Sequence, residues 1–253
     1  MTKKSLLTPR WILTTLLVIA AAVVMVRLGF WQLDRLAQRK DHNARLTQGL
    51  SQPPLNLNGK LPSDLSEMEF YSATVTGRYD PTQEILLRNQ ISVEGLPGFH
   101  LLTPLIIDGN NQAILVDRGW IPLDQPSVEQ RKAYAQPGQV TLTGMLRRSQ
   151  PEPVFGAAPD PQLGAGQTRL DIWIFVNLER IRLQIDRPLL NVFLVAAPDA
   201  AQSGLPERIL PAIDLSEGPH LDYAIQWFLF TATLLIGYPF YVRTQLNPRK
   251  PKR

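Results

Sequence analysis

His220 stands where acidic, proline-bearing sequence gives way to a long apolar run, and an imidazole at such a boundary can hold a metal. That chemistry needs an uncharged nitrogen with a free lone pair. Gly218 and Pro219 come just before it, proline suits the first turn of a helix, and glycine can cap it, so His220 is expected at about the second helical position. The positive end of the helix dipole disfavours imidazolium there and leaves a neutral nitrogen for a metal. Tyr223, Ala224 and Trp227 follow at i+3, i+4 and i+7 on the same face. A plainer role fits the same residues, with His220 among lipid headgroups beside Asp222 and Trp227 as an interfacial anchor.

A second set lies near the other end of the chain. Trp31, Arg35 and Arg39 are four residues apart and stack on one helical face, where two guanidinium groups can pair with anionic groups such as lipid phosphates. Gln226 falls inside the second apolar run, where an amide must find a hydrogen bond on the first helix, on a bound cofactor or on a partner's helix, and packing between the two spans is the first expectation. Arg118 and Trp120, at a strand end before Pro122, read as structural, and neither His42 nor His100 is assigned a ligand role. No enzyme motif emerges: there is no Gly-x-Ser-x-Gly elbow, no phosphate-loop lysine and no His-Glu-x-x-His. Gly164-Ala165-Gly166-Gln167-Thr168 lacks the third glycine of a dinucleotide loop. Catalysis is not expected.

Two apolar runs must position these residues. The first, Trp11 to Leu28, has only Thr14, Thr15 and Arg27 as polar members, and the second, Tyr223 to Val242, carries no charge. Each matches the roughly 30 Å hydrocarbon core of a bilayer at about 1.5 Å per helical residue. Tyr223 and Trp227 at one end and Tyr238 and Tyr241 at the other make aromatic belts. The alternative is a pair of buried core helices. Ala20-Ala21-Ala22 offers small residues for a signal peptidase, but the apolar run continues to Val26, so an uncleaved anchor is expected. The ten residues before it are too few for a mitochondrial transit peptide, and a bacterial inner membrane is the simplest address.

Nine of the 26 basic residues and none of the 22 acidic ones lie outside residues 28–242, so the basicity belongs to membrane flanks and nucleic acid is not an expected partner. Arg243, Arg249, Lys250, Lys252 and Arg253 mark a cytoplasmic tail, which places both termini inside. Arg27, Arg35, Arg39, Lys40 and Arg45 argue the other way, but Glu207, Asp214, Glu217 and Asp222 before the second span favour a middle domain that is periplasmic or otherwise extracytoplasmic. The expected order is a tail (1–10), a first span (11–28), a helical extension (29–50) stopped by Pro53-Pro54, a β-rich domain (51–222), a second span (223–242) and a basic tail (243–253).

Strands are expected at Phe70–Tyr79, Glu84–Arg88, Leu101–Ile107, Ala113–Arg118, Val140–Arg147, Asp171–Val176 and Val192–Ala196, with a hairpin at Asp108-Gly109-Asn110-Asn111. Short helices are expected at Val128–Ala135 and Leu178–Gln184, and an irregular loop at Pro151–Gln167. The fold class is a membrane α+β protein: two transmembrane helices flanking a mostly antiparallel sheet, curled into a barrel to hide its edges. With no cysteine, the domain must fold without disulfides and lacks the thiolates that copper carriers use.

Four phrases coincide with a known family. They are Leu28-Gly29-Phe30-Trp31-Gln32-Leu33-Asp34-Arg35 with Lys40, Gly98-Phe99-His100-Leu101-Leu102-Thr103-Pro104-Leu105, Val116-Asp117-Arg118-Gly119-Trp120-Ile121-Pro122, and Pro219-His220-Leu221-Asp222-Tyr223-Ala224-Ile225-Gln226-Trp227-Phe228. In order and spacing the chain resembles the Surfeit locus protein one family of cytochrome c oxidase assembly factors, departing in small ways such as Phe99 where tyrosine is common. The resemblance implies a partnership with the oxidase large subunit and other assembly factors, and binding of haem a near the second span with His220 as axial ligand. A flat macrocycle would then lie along Tyr223 and Trp227, with Trp31 nearby and its propionates open to Arg35 and Arg39. Two other classes stay open: a protein-only scaffold for an immature oxidase subunit, and an integral subunit of the finished enzyme.

Overall fold

The computed structural model describes residues 8–246 apart from 63, 151–158, 165, 200–203 and 211. Residues 45–213 form one compact unit, and residues up to 44 together with those from 214 onward form another.

Helix α1 (Pro9–Ser51), which lies in the second of these units as far as residue 44, is one helix of 43 residues, its apolar half free of proline and its charged half continuing without a break. It ends just before Pro53-Pro54, since proline lacks the amide proton that a helix interior requires. The last helix, α4 (His220–Leu246), tolerates Pro239 in its interior. Only 11% of the most apolar window of α1 and 6% of that of α4 is buried. A core helix of a soluble domain would be mostly covered, so these are two candidate membrane-spanning helices, the pair a two-pass protein needs.

The sheet unit contains β1 (Leu55–Asn56), β2 (Ser72–Tyr79), β3 (Ile85–Ile91), β4 (Pro97–Ile107), β5 (Ala113–Pro122), β6 (Val140–Arg148), β7 (Ile172–Trp173) and β8 (Leu189–Ala196). Strand β2 pairs with β6, β6 with β8, β8 with β5, β5 with β4, and β4 returns to β2. The five strands therefore close on themselves in a small barrel, antiparallel except for β5–β8, and closure removes the open edges that a flat sheet would present. Strand β4 makes this possible through its length. Its first half pairs with β3 and its second half with β2. At that corner Gly77 faces Ile107, and a Cβ on Gly77 would stand 2.2 Å from the Ile106 carbonyl oxygen, so no side chain fits.

All five ring strands contribute to one core, which includes Ala73, Val75, Leu105, Ile107, Ile114, Val116, Leu142, Leu146, Val192 and Leu194. A second cluster, Ile85, Leu102, Leu115, Trp173, Leu178 and Ile181, packs the short helix α3 (Leu178–Ile181) on the outside. The alternating strand pattern anticipated this inside-outside division. Strands β4 and β5 are longer than expected, reaching back to Pro97 and on to Pro122, and β1 was not anticipated. The strand expected at Asp171–Val176 shrinks to β7, because the Asp160 carboxylate accepts from the amides of Ile174 and Phe175 and draws the backbone off the sheet. Helix α2 (Val128–Arg131) and α3 each continue as a short 3-10 turn, to Tyr134 and Gln184. Most of the expected loop at Pro151–Gln167 lies outside the described residues.

Arg118 is 1% exposed in β5, so its charge must be met inside the protein. Its Nη1 lies 3.4 Å from Glu84 Oε2, its Nη2 donates to the Tyr134 carbonyl, and its guanidinium sits 4.5 Å over the Tyr79 ring. Burial pushes the Glu84 carboxyl above its usual range, opposed by the Thr103 hydroxyl, Arg118 and Arg131. Arg131 in turn joins Glu84 to Asp171 and ties α2 to the barrel. The structural reading of Arg118 therefore stands. Replacing Arg118 by Met keeps the packing but leaves the buried Glu84 with only Thr103 and Arg131 to meet its charge, and should cost about 3 kcal/mol, measured by guanidinium unfolding of the full chain in detergent.

Candidate functional site

Within the helical unit, α1 and α4 meet along a seam built from small residues and rings. A Cβ on Gly29 would stand 2.7 Å from the Phe228 ring, so glycine is what lets that ring lie against α1. Phe30 packs edge-on to Phe228 at 5.5 Å, and Trp11 approaches Tyr241 at 6.2 Å. Ala224 and Thr231 are buried, and the Thr15 hydroxyl bonds the Tyr238 hydroxyl at 2.6 Å. A second zipper lies along the polar half of α1. Arg39 pairs with the Asp214 carboxylate at 2.7 Å and donates to the Ser216 carbonyl, Asn43 donates to the Leu215 carbonyl, and Lys40 lies 3.5 Å from Glu217.

His220 sits between the two sets of contacts. It is the first residue of α4 rather than the second, because the Pro219 carbonyl accepts the Tyr223 amide and Pro219 is therefore the cap, with Gly218 turning the chain at φ +69°. The ring is half-buried, and its Nδ1 lies 2.8 Å from Gln32 Oε1 on α1. An amide carbonyl oxygen accepts only, so Nδ1 is the donor in this bond and Nε2 is the ring nitrogen it leaves unused. Metal-binding histidines are oriented in this way by a hydrogen bond to the other ring nitrogen.

The remaining predicted residues flank this pair unevenly. Trp227 is half-buried and meets Phe230 edge-on at 6.1 Å, while Tyr223 is exposed. Trp31 is exposed under the Arg35 guanidinium, which lies 5.5 Å from its ring and donates to Gln38. Arg39 is occupied by Asp214, which leaves Arg35 as the freer cation of the two. Gln226 does not pack between the spans: it faces outward and makes no hydrogen bond to any described residue, because Ala224 and Phe228 on either side of it take the seam.

Two contacts escaped sequence reasoning. Gln32 carried a signal, since it stands in the same short phrase as Gly29 and Trp31, but nothing in the chain says which helix its amide will meet. The other is His100, whose Nδ1 lies 2.7 Å from Asp117 Oδ2 while Asp117 Oδ1 accepts the Gly119 amide. A bulge between β4 and β5 brings those three residues together, and bulges are not readable from pattern. Among the described residues no group of three metal-binding side chains occurs.

Residues 19–232 match the model of the SURF1 family. An uncharacterized SURF1-like protein of Mycobacterium tuberculosis is 29% identical over 252 residues, covering 98% of this chain and 89% of its own. A SURF1-like protein of Rickettsia bellii is 26% identical over 236 residues, covering 91% of each. One from Caenorhabditis elegans is 26% identical over 260 residues, covering 92% of this chain and 75% of its own.

Gly29 is the residue on which the seam turns. Gly29→Leu should weaken the pairing of α1 with α4 by about 1–3 kcal/mol, read as a lower midpoint in detergent-induced unfolding from bicelles.

Proposed function

The chain belongs to the SURF1 family, which is linked to cytochrome c oxidase assembly and is not a known enzyme class, and from that membership we propose that it is a non-catalytic haem a carrier for the oxidase large subunit. The observation that carries this reading is the Gln32–His220 bond, which fixes the imidazole and leaves Nε2 available. His220 Nε2 would hold the iron, and a porphyrin brings four of its own nitrogens, so a single protein ligand suffices. Tyr223 and Trp227 offer a ring-bearing flank on the same helix, and Trp31 with Arg35 offers a ring and a positive charge for propionates. Haem supplies redox-active iron to the oxidase; the protein's part is to hold it by one exchangeable bond, so that the oxidase's ligands can replace His220. In this reading the protein resides in a bacterial inner membrane with both termini cytoplasmic and the sheet domain outside, and works beside other assembly factors.

A second reading is a protein-only scaffold, favoured by the exposed apolar side chains Ile91, Val93 and Leu96 at the β3–β4 turn. Purification from haem-a-producing cells separates the two. The carrier reading expects haem absorbance in the native protein, loss of nearly all of it in His220→Ala, and about tenfold weaker haem binding in Gln32→Leu. Haem retained with an unchanged spectrum in His220→Ala removes the ligand role. A deletion strain whose oxidase activity is fully restored by His220→Ala points to the scaffold.

A further inference from the structure

The polar half of α1 already holds a carboxylate. Residues 214–219, which lead into α4, lie along it as an exposed strap outside every strand and helix. Arg39 gives its donors to this strap: Nη2 meets Asp214 Oδ2 at 2.7 Å and the Asp214 carbonyl at 3.0 Å, and Nε donates to the Ser216 carbonyl at 2.8 Å. The Ser216 amide and hydroxyl hold the Asp214 carboxyl below its usual range, so it is ionised at neutral pH. The hold is nonetheless light. The Asp214 side chain is 65% exposed and Leu215 is 46% exposed, so the strap covers little apolar surface, and exposed ion pairs contribute little.

The position of Arg39 gives this contact its meaning. It stands two turns along α1 from Gln32, the residue that orients His220, and one turn from Arg35, and the three project within about 60° of one another around the helix. An iron ligand and two guanidinium groups are thus gathered on one side of α1, and a haem carries one iron and two propionates. Arg35, over the Trp31 ring, can take one propionate with the strap in place. The other propionate finds at Arg39 a guanidinium that a carboxylate of the same chemistry already occupies.

Resting on the carrier reading above, we propose that Asp214 is a tethered competitor for a haem propionate on Arg39. The propionate displaces the strap when haem binds, and the strap returns when haem leaves. Because Asp214 belongs to the same chain, its effective concentration at Arg39 does not fall on dilution. It lowers haem affinity and hastens release, which suits handover rather than storage. Gly218, whose bare backbone turns freely, is the joint at which the strap lifts while His220 stays at the head of α4.

The full chain in detergent is titrated with iron protoporphyrin IX and with its dimethyl ester, whose capped propionates cannot pair with Arg39. Asp214→Asn should tighten binding of the acid about threefold, slow its transfer to excess apomyoglobin by about the same factor, and leave the ester unchanged. In an Arg39→Gln background, Asp214→Asn should change nothing. An unchanged or weaker affinity for the acid in Asp214→Asn, with binding still lost in His220→Ala, would overturn the competition and leave the carrier reading standing. An equal gain for acid and ester, or a gain that persists without Arg39, would make the strap a simple cover and overturn it as well. If neither porphyrin binds through His220, the carrier reading and this proposal fall together.

Discussion

The contact of the Phe228 ring with the bare backbone at Gly29 governs the helical half of this protein. Side chains two residues either side of that contact cannot choose their surroundings independently. With Phe228 and Ala224 turned toward α1, the 100° step of the helix sends Gln226 outward and brings His220, two turns up from Phe228, to Gln32. A bulkier residue at Gly29 would disturb the ring, and through it the hydrogen bond that orients the imidazole. Two of the four phrases that resemble a known family, one in each helix, are thus the two sides of one packing interface.

The sheet domain solves a different problem, that of a disulfide-free domain carrying buried charge. Its ring closes because β4 is long enough to serve two neighbours and Gly77 allows the corner. Arg118 and Glu84 are held inside by Thr103, Arg131 and the Tyr134 carbonyl, so these buried charges serve as internal bracing.

Much of this was legible in the chain because hydrophobic period encodes it directly. The two apolar runs, the alternation from Ser72 to Tyr79 and the Asp108–Asn111 hairpin each follow from local pattern. What pattern cannot carry is a partner far along the chain. The strand lost after Trp173 depends on the Asp160 carboxylate, the His100–Asp117 pair on a bulge, and the outward turn of Gln226 on which neighbour claimed the seam first. The site was legible as residue types, His220 with its aromatic flank, but Gln32 had no distinguishing mark until the helices were placed side by side.

The one parallel pairing within the five-strand ring, β5 with β8, has a consequence for the order of events during synthesis. Strand β5 cannot gain that neighbour until Leu189–Ala196 has emerged, long after its own residues and only shortly before α4 begins. Until then β5 and β6 each lack one ring partner, and the inner apolar side chains of both stay partly uncovered. Most of the chain must therefore be made before the domain can shut, and a nascent form stalled ahead of β8 is the one most in need of a chaperone.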